Sequence, residues 1–262
     1  MNKSFVNRPV ALITGASSGI GATFARKLAG RGFNLILVAR RADKLAELAR
    51  DLPVECEIVT ADLSTDAGVS AVTSAIRGCA ELELLVNNAG FGTLGRFWSA
   101  DLAGQDSMHR VHVLAVMQLT RAALEGMTAR NKGGVINVSS VAAFSINEGN
   151  VSYCSTKAWM NSFTEGLALE LNGVNSAVKV QALCPGFTIT EFHDTLGVDR
   201  KGIPGFLWMQ AHEIVDASLR GLDRGKVIVV PGWIYRTIVS LLRPLPFAIR
   251  RHIRRPFRDR RV

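Results

Sequence analysis

The stretch TGASSGIG, from Thr14 to Gly21, constrains the fold of this chain more than any other. It follows the apolar run Val10-Ala11-Leu12-Ile13 and leads into TFARKLAGRG, so Gly15, Gly19 and Gly21 lie where a strand turns into a helix. Glycine lets the chain turn tightly and leaves no Cβ in the way of a close neighbour. The helix behind it presents unpaired N–H groups and the positive end of its dipole to the same space. A bulky anion fits such a turn, and a pyrophosphate is the expected occupant.

The remainder of the chain repeats this alternation of strand and helix. The runs VALITG, NLILVAR, ECEIVTADL, ELLVNNAG, GGVINVSS, AVKVQALCPG and KVIVVPG are β-rich, and segments such as RADKLAELARDL between them place Leu45, Leu48 and Leu52 at helical spacing. Near-continuous apolar strands indicate a parallel sheet covered on both faces. The expected fold is therefore α/β, a Rossmann-type doubly wound parallel sheet of about seven strands with helices on both faces. Ligands in such sheets bind beyond the carboxyl ends of the strands, where the polar endings TGASSG, AR, ADL, NNAG, SS and PG fall. The chain divides into a nucleotide-binding catalytic domain over 1–232 and a basic tail over 233–262, with the segment Phe187 to His212 expected as a lid.

The second strand ends in Arg40 and Arg41, where an NAD-binding protein usually carries an acid for the ribose 2′-hydroxyl. Cations there suit a 2′-phosphate and point to NADP(H). The other reading is that the two arginines only solvate a helix start, and Asp43 lies close enough to bear on the preference.

In SYCSTKAWMNSF, Tyr153 and Lys157 stand four residues apart in a helical pattern, which puts both side chains on one face. Bringing a tyrosine from a pKa of about 10 to near 7 requires roughly 4 kcal/mol of phenolate stabilisation. An ammonium about 4 Å away supplies that order at an effective dielectric of 20, before desolvation takes some back. Lysine alone is barely sufficient, and a hydroxyl donor helps; Ser140, at the end of GGVINVSS, is placed to be one.

Taken in order, these motifs resemble the short-chain dehydrogenase/reductase family, from about Val10 to Gly232: TGASSGIG, Asp62 at the end of the third strand, NNAG (Asn87 to Gly90), Ser140, the Tyr153–Lys157 pair and PGFTIT (Pro185 to Thr190). The resemblance implies an enzyme of single-domain oxidoreductase type. Tyr153 would be the general acid/base, Ser140 would hold and polarise the substrate oxygen, and Lys157 would lower the tyrosine pKa and bind the nicotinamide ribose. Ser17, Ser18, Ile20 and the three glycines would line the phosphates, Asp62 and Leu63 would meet adenine, Asn88 would sit by the adenine-side ribose, Ala89 and Gly90 would also bind the cofactor, and Pro185, Gly186 and Thr188 would border the nicotinamide. One departure stands out: His112, in RVHVLAVMQLT, occupies the place where many members carry an asparagine that supports a water-linked proton relay. Its imidazole either carries a proton or is a buried neutral ring without a kinetic role. A non-catalytic NADP(H)-binding regulator of the same fold is the alternative function, favoured only by His112, and dehydration or epimerisation remains open within the enzyme class.

Phe91, Phe97, Trp98, Phe144, Ile146, Phe187, Phe192, Phe206, Leu207 and Trp208 are expected to face the substrate, a largely apolar set that argues for a lipophilic small molecule such as a steroid, retinoid or fatty-acyl ketone. The net charge of +9 is concentrated at one end: eight arginines and one aspartate fall between Arg243 and Val262. Ile234, Ile238, Leu241, Leu245, Ile249 and Ile253 recur there at helical steps, with Pro244 and Pro246 expected to break the tail into two short helices. A basic amphipathic tail suits peripheral contact with an anionic membrane; packing on the chain's own domain or on a second subunit is the other reading. Nothing in it resembles a nucleic-acid-binding motif, so no nucleic-acid partner is expected. Four cysteines without CxxC spacing indicate a reducing compartment and no metal site. The apolar run at the N-terminus is too short for a secretory signal, and a cytoplasmic homo-oligomer, peripheral at most to a membrane, is expected.

Overall fold

The computed structural model describes residues 8–145, 148–191, 203–246 and 249. Ile146, Phe192, the middle of the expected lid and most of the arginine-rich tail, including Ile253, lie outside the described residues.

Seven strands form one parallel sheet in the order β3-β2-β1-β4-β5-β6-β7. They are β1 (Val10–Thr14), β2 (Asn34–Ala39), β3 (Cys56–Thr60), β4 (Leu82–Asn87), β5 (Gly134–Val138), β6 (Lys179–Leu183) and β7 (Ile228–Val229). The chain leaves β3 at one edge and crosses back past β1 to start β4, so β1 and β4 are neighbours at the point where strand order reverses. That reversal opens the crevice at the carboxyl ends, where a ligand binds in sheets of this kind.

Alternate side chains of each strand serve opposite cores. Val10, Leu12, Ile36, Val38, Leu85 and Val135 pack with α3 (Asp66–Arg77), α5 (Val116–Ala129) and α6 (Val151–Gly173). Ala11, Ile13, Leu35, Leu37, Val86 and Ile136 pack with α1 (Gly19–Gly30), α2 (Ala42–Arg50) and α7 (Ala211–Asp223). The helical spacing read from RADKLAELARDL is realised in α2, where Leu45 and Leu48 are buried and Leu52, just past its end, packs partly against the core. Continuous burial holds for β1, β2 and β5. It fails in β3, an edge strand with an exposed Ile58, because an edge is covered on fewer sides.

Between α4 (Leu102–His109) and α5 the helix widens into a π-helical turn over Arg110–Ala115. Such turns recur at functional sites because the extra residue redirects a side chain. Here it belongs to the stretch that carries His112, whose side chain is fully buried. The last described helix, α8 (Trp233–Leu242), packs Tyr235 and Val239 against the domain and leaves Trp233 and Leu241 exposed. No helix among the described residues is long and apolar enough to cross a membrane. None of the four cysteines is in a disulfide, and no cluster of metal-ligating side chains gathers among the described residues.

Candidate active site

The glycine turn is built for close approach. Gly15 and Gly19 have positive φ (65° and 54°), and a Cβ on Gly21 would collide with the carbonyl oxygen of Gly15, so strand and helix touch backbone to backbone. Ser18 enters α1 in extended conformation and its side chain caps no N–H of that helix, while Ser17, Ser18, Gly19 and Ile20 are all half-buried at the mouth of the crevice. These features fit a dinucleotide pyrophosphate: a cradle a Cβ would fill, a helix N-terminus behind it, and a position at the strand ends.

The neighbouring loop is sewn to this turn by Thr14, a residue outside the sequence reading of the site. Its hydroxyl accepts from the backbone N–H of both Asn88 and Ala89, each at 3.0 Å. The Asn88 side-chain amide donates in turn to the carbonyls of Thr14 (2.9 Å) and Gly15 (3.2 Å), so Asn88 shapes the loop with the amide expected near a ribose. Asp62 accepts from the Ser64 N–H (2.9 Å) and hydroxyl (2.7 Å), and these bonds, with the nearby Arg40 charge, hold its carboxyl below its ordinary range. The Leu63 side chain is buried in the core.

Arg40 and Arg41 are exposed at the end of β2. The Arg41 guanidinium donates to the Ser17 hydroxyl (3.1 Å) and pairs with Glu191 (3.0 Å), so it ties the glycine turn to the segment after PGFTIT. Thr190 lies over Gly19, its Cγ2 only 3.0 Å from where a Cβ would stand. The Arg41–Glu191 and Gly19–Thr190 contacts were not legible in sequence, because each joins residues 150 or more positions apart.

Tyr153 and Lys157 project from the same side of α6, and Ser140 ends the segment after β5. Tyr153, half-buried, shares a hydrogen bond with the Ser140 hydroxyl, which also accepts from the Ala142 N–H at 3.1 Å. Ser140 therefore caps the short 3-10 turn Val141–Phe144 and meets the tyrosine as well. Lys157 is buried; its Nζ donates to the Val138 carbonyl at 2.8 Å and stands 5.7 Å from the centre of the Tyr153 ring. The Ser139 hydroxyl donates to the Lys157 carbonyl at 3.0 Å and fixes α6 against β5.

Burial opposes the expected lowering of the tyrosine pKa. Burial pushes the Tyr153 phenol up to about 12 despite the Ser140 hydrogen bond, and burial pushes Lys157 down to about 7. An amine near 7 is only partly charged at neutral pH, and it donates to Val138, so it does not by itself bring the phenol's pKa down toward 7.

His112 sits behind Tyr153 with both ring nitrogens engaged. Nε2 accepts from the Phe91 N–H (3.3 Å), which leaves Nδ1 as the N–H donor to the Thr156 hydroxyl (3.0 Å). Thr156 passes the chain on to the Tyr153 carbonyl at 2.9 Å. Burial, then the Lys157 and His109 charges, hold the imidazole well below its ordinary pKa, so it is neutral. Gly90 admits the ring: a Cβ there would stand within 3.1 Å of two of its atoms.

Pro185 is buried and its carbonyl accepts from the Val141 N–H (3.0 Å), beside Ser140. The Thr188 hydroxyl donates to the Gly186 carbonyl at 3.0 Å. Of the apolar residues expected around a substrate, Phe187 and Trp208 stand 5.5 Å apart, Phe144 and Leu207 are half-buried, and Phe97, Trp98 and Phe206 are exposed. Phe91 packs partly into the core.

Residues 9–201 match the family model described as short chain dehydrogenase. The NADP-dependent 3-hydroxy acid dehydrogenase of Schizosaccharomyces pombe is 34% identical over 189 residues, covering 69% of this chain and 72% of that protein. A short-chain dehydrogenase of Sphingobium yanoikuyae in complex with NADPH is 32% identical, with a TM-score of 0.80 over 97% of this chain and 100% of that one. The bulky-bulky ketone specific alcohol dehydrogenase of Comamonas testosteroni is 30% identical, with a TM-score of 0.77 over 93% and 97%.

Proposed function

The chain belongs to the short-chain dehydrogenase/reductase family, and from that premise we propose that it is an NADP(H)-dependent enzyme interconverting a carbonyl and a secondary alcohol on a lipophilic small molecule of steroid, retinoid or fatty-acyl type. The observation that carries the chemistry is the meeting of Tyr153, Ser140 and Lys157 at the carboxyl end of β5.

When bound, the nicotinamide supplies the hydride that adds to the carbonyl carbon. The chain supplies the proton: the Tyr153 O–H gives it to the carbonyl oxygen as the C–H bond forms, and the Ser140 hydroxyl donates a hydrogen bond to that oxygen as charge develops. A phenol held at about 12 stands protonated at neutral pH, the state that reduction needs. Lys157, one turn along α6, would hold the nicotinamide ribose, and its charge would stabilise the phenolate that remains. His112 acts in this reading through position, holding Phe91 and Thr156 with both nitrogens, and carries no proton.

NADP(H) is favoured by Arg40 and Arg41 at the end of β2, and by the names of two relatives, one NADP-dependent and one bound to NADPH. A lipophilic substrate is favoured by the half-buried Phe144, Phe187, Leu207 and Trp208, and by a relative named for bulky ketones. We read 1–232 as the body of the catalytic domain and 233–262 as a basic segment that starts with α8 packed on that body through Tyr235 and Val239 and contacts anionic membrane with its outer side; supporting the contact are the arginines and the exposed Trp233 and Leu241. A homo-oligomer is favoured by exposed Val151 and Leu169 on α6 and Met117 on α5, and a cytoplasmic place by the four cysteines, none of them in a disulfide. The test is oxidation of NADPH, with NADH in parallel, by the purified chain against ketones and aldehydes graded from short polar to long-chain and steroidal. Turnover of the apolar members with NADPH supports the reading; tight NADPH binding with no turnover of any carbonyl supports the regulator instead.

A further inference from the structure

Tyr235 is one of only two tyrosines in the chain, and it lies in α8, beyond the resemblance that carries the other site residues. Its side chain is almost fully buried. The hydroxyl accepts from the Phe187 N–H at 3.0 Å and donates to the Leu207 carbonyl at 2.7 Å. One oxygen thus joins two backbone segments twenty positions apart, using its single proton and one lone pair. The ring lies flat against Gly186, where any Cβ would collide with its carbons. Two further backbone bonds run alongside: Met209 N–H to the Phe187 carbonyl (2.9 Å) and Ile189 N–H to the Met209 carbonyl (3.0 Å). The segments joined in this way carry the Phe187 and Trp208 rings, 5.5 Å apart. At its other end the first segment bonds to Val141, next to Ser140.

We propose that Tyr235 is a positioning residue for the substrate side of the cleft: by bridging Phe187 to Leu207 it fixes the spacing of the Phe187 and Trp208 rings, and with it the preference for bulky apolar carbonyls over small ones. The specificity half rests on the function proposed above; the bridge itself does not. Removing the hydroxyl takes one partner from the half-buried Phe187 N–H and Leu207 C=O, whereas the ring still fills the space over Gly186.

The experiment compares the full-length chain with Tyr235→Phe by hydrogen exchange and by kinetics. Exchange at the Phe187 amide is expected to quicken by about tenfold or more, the scale of one lost buried hydrogen bond, while α6 amides keep their protection. The ratio of kcat/KM for an aryl-alkyl ketone over that for a short aliphatic one is expected to fall about five- to tenfold. Unchanged exchange at Phe187 overturns the bridge whatever the kinetics show. Quickened exchange with an equal loss on both ketones overturns the specificity role and leaves a structural one. Quickened exchange with no turnover by either protein upholds the bridge and counts against the function on which the specificity role rests.

Discussion

Lys157 is held to the strand and to its helix neighbour at once, its Nζ donating to the Val138 carbonyl at 2.8 Å and standing 5.7 Å from the centre of the Tyr153 ring. A cation buried for function is a stability liability, since one carbonyl replaces only part of its hydration.

That liability has a pH signature. The folded pKa of Lys157, about 7, lies below the ordinary 10.5. Below pH 7 both states hold the proton and the folded state bears the full cost of burying the charge. Between 7 and 10.5 the unfolded state binds a proton the folded state lacks, so this group makes stability rise with pH, by at most about 1.4 kcal/mol per unit. Cys184 and Tyr153, both raised to about 12, act in the opposite sense only above about pH 9 and 10 respectively. Lys157→Met is therefore expected to be inactive yet more stable than wild type by on the order of 3 kcal/mol at pH 6–7, with the advantage shrinking toward pH 9. Denaturant melts of both proteins at pH 6, 7, 8 and 9 check this; a difference constant across that range contradicts it.

His112 gives the complementary acid effect. Its folded pKa is lowered, so below about 6.5 the unfolded state takes up a proton that the folded state refuses, and stability falls as pH drops. His112→Asn is expected to cost about 1–3 kcal/mol at pH 7, where the Phe91 N–H and Thr156 hydroxyl lose their partner. Between pH 7 and 5 the variant loses less stability than wild type. Its kcat keeps the wild-type pH profile, since the ring carries no proton; a displaced acid limb would instead make His112 part of a relay.

The Arg41–Glu191 pair bears on cofactor choice. Glu191 occupies the guanidinium that a 2′-phosphate would use, and both side chains are substantially exposed. Glu191→Gln is expected to tighten NADPH about two- to fivefold, as befits an exposed ion pair, and to leave NADH unchanged. Arg41→Asp weakens NADPH by tenfold or more and spares NADH. Titrations by cofactor fluorescence decide both, and equal shifts for the two nucleotides would mean that Arg41 does not read the 2′ position.

Much of this was legible in sequence because it is local. The glycine turn, the seven strands and the Tyr153–Lys157 spacing follow from periodicity and from groups within a few residues of one another. What escaped depends on distant pairs or on a change of helical register. Thr14 meets Asn88 and Ala89 only because β1 and β4 become neighbours. The π-helical turn that carries His112 has the residue types of an ordinary helix, so no pattern announced it. Tyr235 read as part of a basic amphipathic tail, and only tertiary packing turns it inward over Gly186. The raised Tyr153 pKa follows from burial, which spacing alone does not reveal.

Close packing at Gly21 gives a simple control on the cradle. Gly21→Ala places a methyl against the Gly15 carbonyl, so strand and helix must separate. Loss of both NADPH and NADH binding is expected, along with a lower melting temperature, and wild-type cofactor affinity in that variant would show that the dinucleotide lies elsewhere.

The most direct test of the central claim is the rate of NADPH oxidation with an apolar ketone, measured for wild type and Tyr153→Phe alongside the NADPH dissociation constant of each. Loss of a general acid predicts a fall in kcat of about 10²–10⁴-fold, with NADPH affinity within about threefold because the glycine cradle is untouched. A Tyr153→Phe protein that turns over at the wild-type rate would contradict the assignment of Tyr153 as the proton donor.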